Sequence, residues 1–146
     1  MLAEAGQLPE SDQLYTQLIA AHPVDSGLYT ARGENLIRQQ KNAEALGDFT
    51  RATEIDATNG EAWSGMAFAA SKTGQPSIAL HGLTMRSKYL PENASTYFLW
   101  ATSYDTLHDR KAAISYYHQF LEAAAGKFPD QEWQARQRLL LLEKKQ

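Results

Sequence analysis

Histidine, acidic and glycine residues are the side chains through which this sequence could perform chemistry. No two of its four histidines, His22, His81, His108 and His118, have the H-x-x-x-H spacing that places two metal ligands on one helix face. The chain also contains no cysteine, which excludes a thiolate metal site and a cysteine nucleophile. We therefore expect surface histidines, no metal centre and no cofactor.

Two further patterns resemble parts of catalytic sites. Gly126-Lys127 could end a phosphate-binding loop, but a Walker sequence needs glycine where Leu121 stands and Ser or Thr where Phe128 stands. We interpret Gly126 as the end of a helix, where glycine is common. Asp105 and Asp109 lie near a predicted turn, where solvated acids are normal. With no nucleophile and base at a recognisable spacing, we expect a protein without enzymatic activity and without catalytic residues.

Charge and hydropathy restrict the possible partners. The formal net charge is -3 and the basic residues are scattered, whereas nucleic-acid binders usually carry a basic surplus or stripe. No apolar run approaches the roughly 18 residues that span a bilayer. The first residues, MLAEAGQLPE, have neither the charged nor the apolar region of a signal peptide. We expect a soluble protein that neither binds nucleic acid nor inserts into a membrane, and the sequence indicates no compartment.

A 34-residue repeat dominates the chain. Three blocks, residues 26–59, 60–93 and 94–127, align without a gap. Offsets of three and four between their apolar positions predict two amphipathic helices in each block, separated by a turn. The shared positions are an aromatic fourth residue (Tyr29, Trp63, Tyr97), a small eighth residue (Gly33, Ala67, Ala101) and alanine at the twentieth (Ala45, Ala79, Ala113).

This pattern resembles the tetratricopeptide repeat family, whose signature runs W-x-x-L-G-x-x-Y, then A-x-x-x-F, A and P. The second block matches it well, through Trp63, Ala67, Ala79, Leu83 and Pro91. The resemblance covers essentially the whole chain. It implies an all-α, right-handed α-solenoid of stacked antiparallel helix hairpins. Three residues depart from the pattern and put the local helix spacing in question: Arg32, Arg86 and Phe120.

The repeat frame extends beyond the three blocks. Residues 1–25 are expected to form a partial repeat that begins inside a first helix, and residues 128–146 a terminal capping helix from about Pro129 to Lys145. This gives nine helices or helical pieces in a single domain, 1–146. Asn93-Ala94-Ser95 matches a glycosylation sequon, but Asn93 directly precedes a predicted helix and is more simply a helix cap.

The resemblance also implies a concave groove lined by the first helices. Phe68 and Phe98, from neighbouring first helices, could lie side by side there and anchor an apolar partner side chain, or could simply pack on each other. The predicted groove residues are Thr30, Glu34, Ile37, Arg38, Glu61, Ser64, Phe68, Lys72, Phe98, Thr102 and Asp105.

A non-catalytic module that binds a peptide or partner protein is the function this groove favours. The alternative is a regulatory or substrate-recruiting segment of a larger enzyme or of a secretion or assembly machine. A start within a repeat fits a larger parent protein in either case.

The ending RLLLLEKKQ places four consecutive leucines on a helix, which no single packing partner can bury. Leu139 and Leu142 share a face with Ala135, and we expect this face to pack on the preceding helix. Trp133, Leu140 and Leu141 lie away from it and are predicted to form an exposed patch for self-association or for a partner helix.

Overall fold

The structure, a computed structural model, describes residues 7–144, which contain eight α-helices and no strand. The all-α fold class predicted from the repeats is confirmed, while the predicted stub before Gly6 lies outside the described residues. The helices are α1 (Leu8–Ala21), α2 (Ser26–Arg38), α3 (Asn42–Ile55), α4 (Gly60–Lys72), α5 (Pro76–Arg86), α6 (Ala94–Thr106), α7 (Arg110–Ala124) and α8 (Pro129–Lys144).

The first helix of each repeat begins at the first residue of its block, because the preceding residue caps it. Asp25, Asn59 and Asn93 each accept a hydrogen bond on the side chain from a backbone N–H of the first turn. At Asn93 the cap is reciprocal, since its own N–H donates to Thr96 Oγ1 at 2.9 Å. The predicted capping role of Asn93 is therefore confirmed.

The turn between the two helices of each repeat passes through one residue in the left-handed region. These residues are Gln40 (φ 61°), Gly74 (φ 71°) and His108 (φ 62°), which share the fifteenth position of their repeats. Only glycine adopts this conformation without a steric cost. The identical turn in all three repeats folds α3, α5 and α7 back onto α2, α4 and α6.

The chain divides into two compact units, Met1–Leu90 and Pro91–Gln146, and the predicted single domain stays a prediction. In the first unit, α1 to α5 pack in chain order. Its core is built around Phe49, which is 1% exposed and packs with Trp63 and Met66. The ring of Phe49 lies against Gly33 and Gly65, where a side chain would collide with it.

Arg32, which replaces an apolar residue of the repeat pattern, forms an ion pair inside this first unit. Its Nε and Nη2 donate to the two carboxylate oxygens of Asp48 on α3, both at 2.8 Å, and its Nη1 donates to Thr16 on α1 at 3.2 Å. Bidentate pairing of this kind satisfies both charges. Arg32 therefore replaces the apolar residue of the repeat pattern without pushing its helix away from α3.

The second unit contains α6, α7 and α8. Phe120, bulky where the family often has alanine, is fully buried between Tyr117, Ala124 and Ala135. Also between α6 and α7, Trp100 stacks on Tyr116 with ring centroids 5.1 Å apart and planes 9° from parallel. Stacked aromatic side chains therefore contribute much of the packing in this unit.

Replacing Gly65 with alanine should destabilise the first unit, because the added methyl group would press on the buried Phe49 ring. We expect a loss of about 1–3 kcal/mol in the free energy of unfolding, the usual cost of overpacking a core. Gly47→Ala is the matched control, since Gly47 is exposed on α3 and has nothing within 4 Å of an added Cβ. That substitution should instead raise the stability by up to about 1 kcal/mol. Urea unfolding followed by circular dichroism measures both, and equal effects would contradict this description of the core.

Candidate functional site

One open cleft in the first unit collects most of the predicted groove residues. Its volume is about 560 Å³, and it lies between α2 and α4. The lining is completed by Phe49 of α3, by Arg86 at the end of α5 and by Leu90, which follows α5. The predicted residues that it brings together are Glu34, Ile37, Arg38, Glu61, Ser64 and Phe68.

One of the two glycines against the Phe49 ring also lines this cleft. Because Gly65 has no side chain, the buried ring of Phe49 packs closely against α4 directly beneath the cleft. Four residues that line the cleft were not predicted from the repeat frame: Gly65, Phe49, Arg86 and Leu90. A signal for Arg86 was present, since arginine replaces a small residue of the repeat pattern there.

The charges of the cleft are unevenly compensated. Burial raises the pKa of the Glu34 carboxyl, the negative charge of Glu61 raises it further, and Arg38 opposes them with a smaller effect. Arg86 is 6% exposed and donates from Nε to Ser64 Oγ at 3.2 Å. The charge of Glu61 thus acts on Glu34 more strongly than that of Arg38, although two arginines line the same cleft.

Phe68 presents an apolar ring at the edge of the cleft. It is 37% exposed, and Lys72 Nζ, one turn later on α4, lies 5.4 Å from the ring centroid. This distance is typical of a cation–π contact. Lys72 therefore covers part of the ring, and the remaining exposed part faces solvent.

Thr30 was predicted as a groove residue, and the structure corrects this assignment. It is 5% exposed, its hydroxyl donates to Ser26 O at 3.0 Å, and it accepts from Asn59 Nδ2 at the same distance. Asn59 is the residue that caps α4. Thr30 thus joins the starts of α2 and α4 and offers no free group to a partner.

The three predicted groove residues of the second unit are occupied by contacts within it. Phe98 is partly buried and packs on Phe120 at a centroid distance of 5.0 Å and on Tyr117 at 6.4 Å. Thr102 donates to Leu99 O of its own helix at 3.3 Å. An anchoring role of Phe98 stays a prediction, and the structure assigns its ring to the core of the hairpin.

Asp105 is the second correction, because its carboxylate connects three helices and is already paired within the chain. It accepts from Arg138 Nε and Nη2 of α8 at 2.7 and 2.8 Å, and from Tyr117 Oη of α7 at 2.8 Å. Burial raises the pKa of Asp105, but the hydrogen bonds from Arg138 and Tyr117 outweigh it and hold the pKa below its usual range. Burial and the bond to Asp105 also raise the pKa of Tyr117.

The terminal helix α8 buries one face and exposes another. Ala135 and Leu139 are buried against Tyr117 and Phe120, and Leu142 packs at the edge of this core, as the sequence predicts. By contrast, Trp133, Leu140 and Leu141 are 64%, 65% and 52% exposed. A further bond, from Arg110 Nε to Leu142 O at 2.7 Å, ties the end of α8 to the start of α7.

The loop with the Gly126-Lys127 dipeptide is closed by an acidic side chain of the same chain. Glu132, 3% exposed, accepts from the N–H of Gly126 at 3.1 Å and from that of Phe128 at 2.8 Å. A carboxylate thus occupies the amides that an anion would need. Within residues 7–144, no group of three or more acidic or histidine side chains is arranged to hold a metal, and no helix there is long and apolar enough to cross a bilayer.

Two curated relatives match part of the chain, whereas no protein-family model matches it. Human Protein O-mannosyl-transferase TMTC3 is 33% identical over 78 residues, which is 53% of this chain and 8% of that protein. The same protein from Mus musculus is 35% identical over 65 residues, which is 44% of this chain and 7% of that protein. The chain therefore spans less than a tenth of the length of these relatives.

Solved structures resemble the chain over nearly its full length. MamA from Desulfovibrio magneticus RS-1 superposes with a TM-score of 0.76 at 16% identity, covering 97% of this chain and 88% of that one. YrrB, described as a TPR protein with an unusual peptide-binding site, superposes with a TM-score of 0.71 at 18% identity. The match covers 96% of this chain and 65% of YrrB. The thermophilic TPR protein TTC0263 from Thermus thermophilus superposes with a TM-score of 0.67 at 16% identity, over 92% of this chain and 74% of that one. The resemblance to tetratricopeptide repeats is confirmed at the level of the fold.

Asp105→Asn should loosen the attachment of α8, because it keeps the shape of the side chain and removes its charge. We expect a loss on the order of 1–3 kcal/mol in the free energy of unfolding at pH 7, typical of hydrogen bonds to a charged group. Because the pKa of Asp105 is lowered in the folded protein, its contribution is complete above the ordinary carboxyl value of about 3.9. It is lost as the pH falls through the lowered value.

Urea unfolding of both proteins between pH 7 and pH 2, with hydrogen exchange of the α8 amides, tests this. Glu122→Gln, at an exposed position of α7, serves as the control. A stability difference for Asp105→Asn that does not shrink at low pH would contradict the charged interaction.

Proposed function

We propose that this chain, which has the tetratricopeptide repeat fold, is a non-catalytic interaction module that binds a peptide or protein segment in the cleft of its first unit. The observation that carries the proposal is the apolar ring of Phe68, exposed at the edge of an open cleft of about 560 Å³. Aromatic residues beside a concave, partly apolar surface are the usual anchors of an interface. The peptide-binding site of YrrB, a protein with the same fold, supports the same kind of partner.

A regulatory or substrate-recruiting segment of a larger enzyme is the second candidate. It is favoured by the partial similarity to the O-mannosyl-transferases, which covers about half of this chain. In that case the repeats would hold a substrate or partner while the chemistry takes place elsewhere. Sequencing the complete transcript that encodes this segment separates the two, because only the second candidate requires a catalytic domain in the same polypeptide.

Phe68→Ala should weaken binding in the cleft and leave the fold intact, since the side chain is partly exposed. We expect at least about a tenfold loss of affinity, which corresponds to about 1.4 kcal/mol. The partner is a nine-residue peptide selected on the wild-type chain from a random displayed library, and fluorescence anisotropy measures its affinity. Ile78→Ala is the matched control, because Ile78 is 38% exposed on α5 and does not line the cleft. Peptides that bind both variants equally well would refute the proposed site.

The exposed face of α8 is proposed as a second interaction surface, through which two copies of the chain associate. Leu140 and Leu141 stand seven and eight residues after Trp133, so the three side chains lie on one side of the helix. More than half of each is exposed. Exposed apolar residues gathered on one face are typical of association surfaces.

Trp133→Gln combined with Leu140→Gln should abolish this self-association. Both residues are exposed, so the helix is expected to remain folded, and the dissociation constant of the dimer should rise at least about tenfold. Sedimentation equilibrium over a range of protein concentrations measures it. Leu107→Gln, at a residue 44% exposed after α6, is the control. A wild-type chain that is monomeric at every concentration would disprove the proposal.

A further inference from the structure

The cleft of the first unit carries two carboxylates without a cationic partner. Glu34 of α2 and Glu61 of α4 both line it, and among residues 7–144 neither forms an ion pair. They lie close enough for the charge of Glu61 to raise the pKa of the Glu34 carboxyl, an effect greater than the opposing effect of Arg38. Like charges held together at a partly desolvated surface are relieved when a cation binds between them.

The basic residues at and beside the cleft oppose the charge of this pair only in part. Arg38 lies one turn after Glu34 and lowers the pKa of its carboxyl, while Lys72 lies over the ring of Phe68. Arg86 is buried and donates to the Ser64 hydroxyl. The negative charge of Glu34 and Glu61 is therefore compensated only in part by its neighbours.

An apolar surface lies in the same cleft as the acidic pair. Ile37, Phe68 and Leu90 line it, and of these Phe68 has the most exposed side chain, at 37%. A ligand that fills the cleft must therefore bury apolar area and present a charge at one end. Burial of the apolar part excludes water and strengthens the electrostatic interaction beside it.

We propose that the cleft selects a peptide segment in which a lysine or arginine stands next to a large apolar residue. The cationic group lies between the carboxylates of Glu34 and Glu61, and the apolar side chain packs on Phe68 and Ile37. This inference rests on the proposed function, since it names the chemistry of the segment that the cleft binds. An acidic segment is disfavoured, because it would bring further negative charge to Glu34 and Glu61.

Selection from a random displayed library of nine-residue peptides tests the proposal. The selection is carried out in parallel on the wild-type chain, on Phe68→Ala and on the double variant Glu34→Gln, Glu61→Gln. We expect the wild-type chain to enrich Lys or Arg adjacent to Leu, Ile, Phe or Trp. The double variant should lose the preference for the cation and retain that for the apolar residue. Circular dichroism of each variant verifies that the fold is kept.

Affinities of one enriched peptide then measure the charge contribution. The double glutamine variant should bind it at least about tenfold more weakly, while Glu122→Gln at an exposed position of α7 should bind it unchanged. Charge reversal gives a direct test of contact. Glu61→Lys should prefer the same peptide with its basic residue replaced by glutamate over the original.

The outcomes distinguish this inference from the function on which it rests. Selected peptides that need Phe68 but show no basic residue, or that bind the double glutamine variant equally well, overturn the cation preference and leave the binding function standing. If no selected peptide depends on Phe68, both proposals are wrong. A basic and apolar motif that depends on Phe68 and on both glutamates supports them together.

Discussion

The close approach of the two helices within each hairpin is the constraint on which the rest of the structure depends. Alanine at the twentieth position of each repeat (Ala45, Ala79, Ala113) has no exposed surface. At Gly82 the contact is tighter still, since an added Cβ would stand 3.0 Å from backbone atoms of α4. The Phe49 ring fits between its neighbouring helices because Gly33 and Gly65 have no side chain, and Gly65 also lines the cleft.

This constraint explains why the sequence predicts the fold so well. Small residues repeated every 34 positions, with aromatic residues four positions before the first of them, indicate the same hairpin three times. The caps are predictable too, because Asp25, Asn59 and Asn93 directly precede the apolar pattern of each first helix. Most residues of the cleft also follow from the frame, since a fixed position on a first helix faces the same side in every repeat.

Two residues were wrongly predicted to face the groove because each is hydrogen-bonded to one particular partner. The 34-residue repeat pattern gives no sign of these partners. Thr30 occupies a groove position in the repeat frame, but its hydroxyl oxygen accepts a hydrogen bond from the side-chain amide of Asn59. Asp105 likewise depends on Arg138, which is 33 residues away in the sequence and lies outside the three repeats. A polar side chain at a groove position is therefore available to a ligand only when its neighbours leave it free. Glu34 and Glu61 meet that condition, whereas Thr30 and Asp105 do not.

The seventh and twenty-third positions give each hairpin an identity of its own. In the first repeat they hold Arg32 and Asp48, which form an ion pair, and in the third Trp100 and Tyr116, which stack. In the second repeat the residues are Met66 and Gly82. If α2 folded onto α5, Arg32 would face Gly82 and its charge would be buried without a carboxylate, which is strongly unfavourable. Near-identical repeats can exchange helices while they fold, and this is a characteristic misfolding route of repeat proteins. Here the ion pair of the first repeat and the aromatic stack of the third differ in chemistry, so α2 packs best on α3 and α6 on α7.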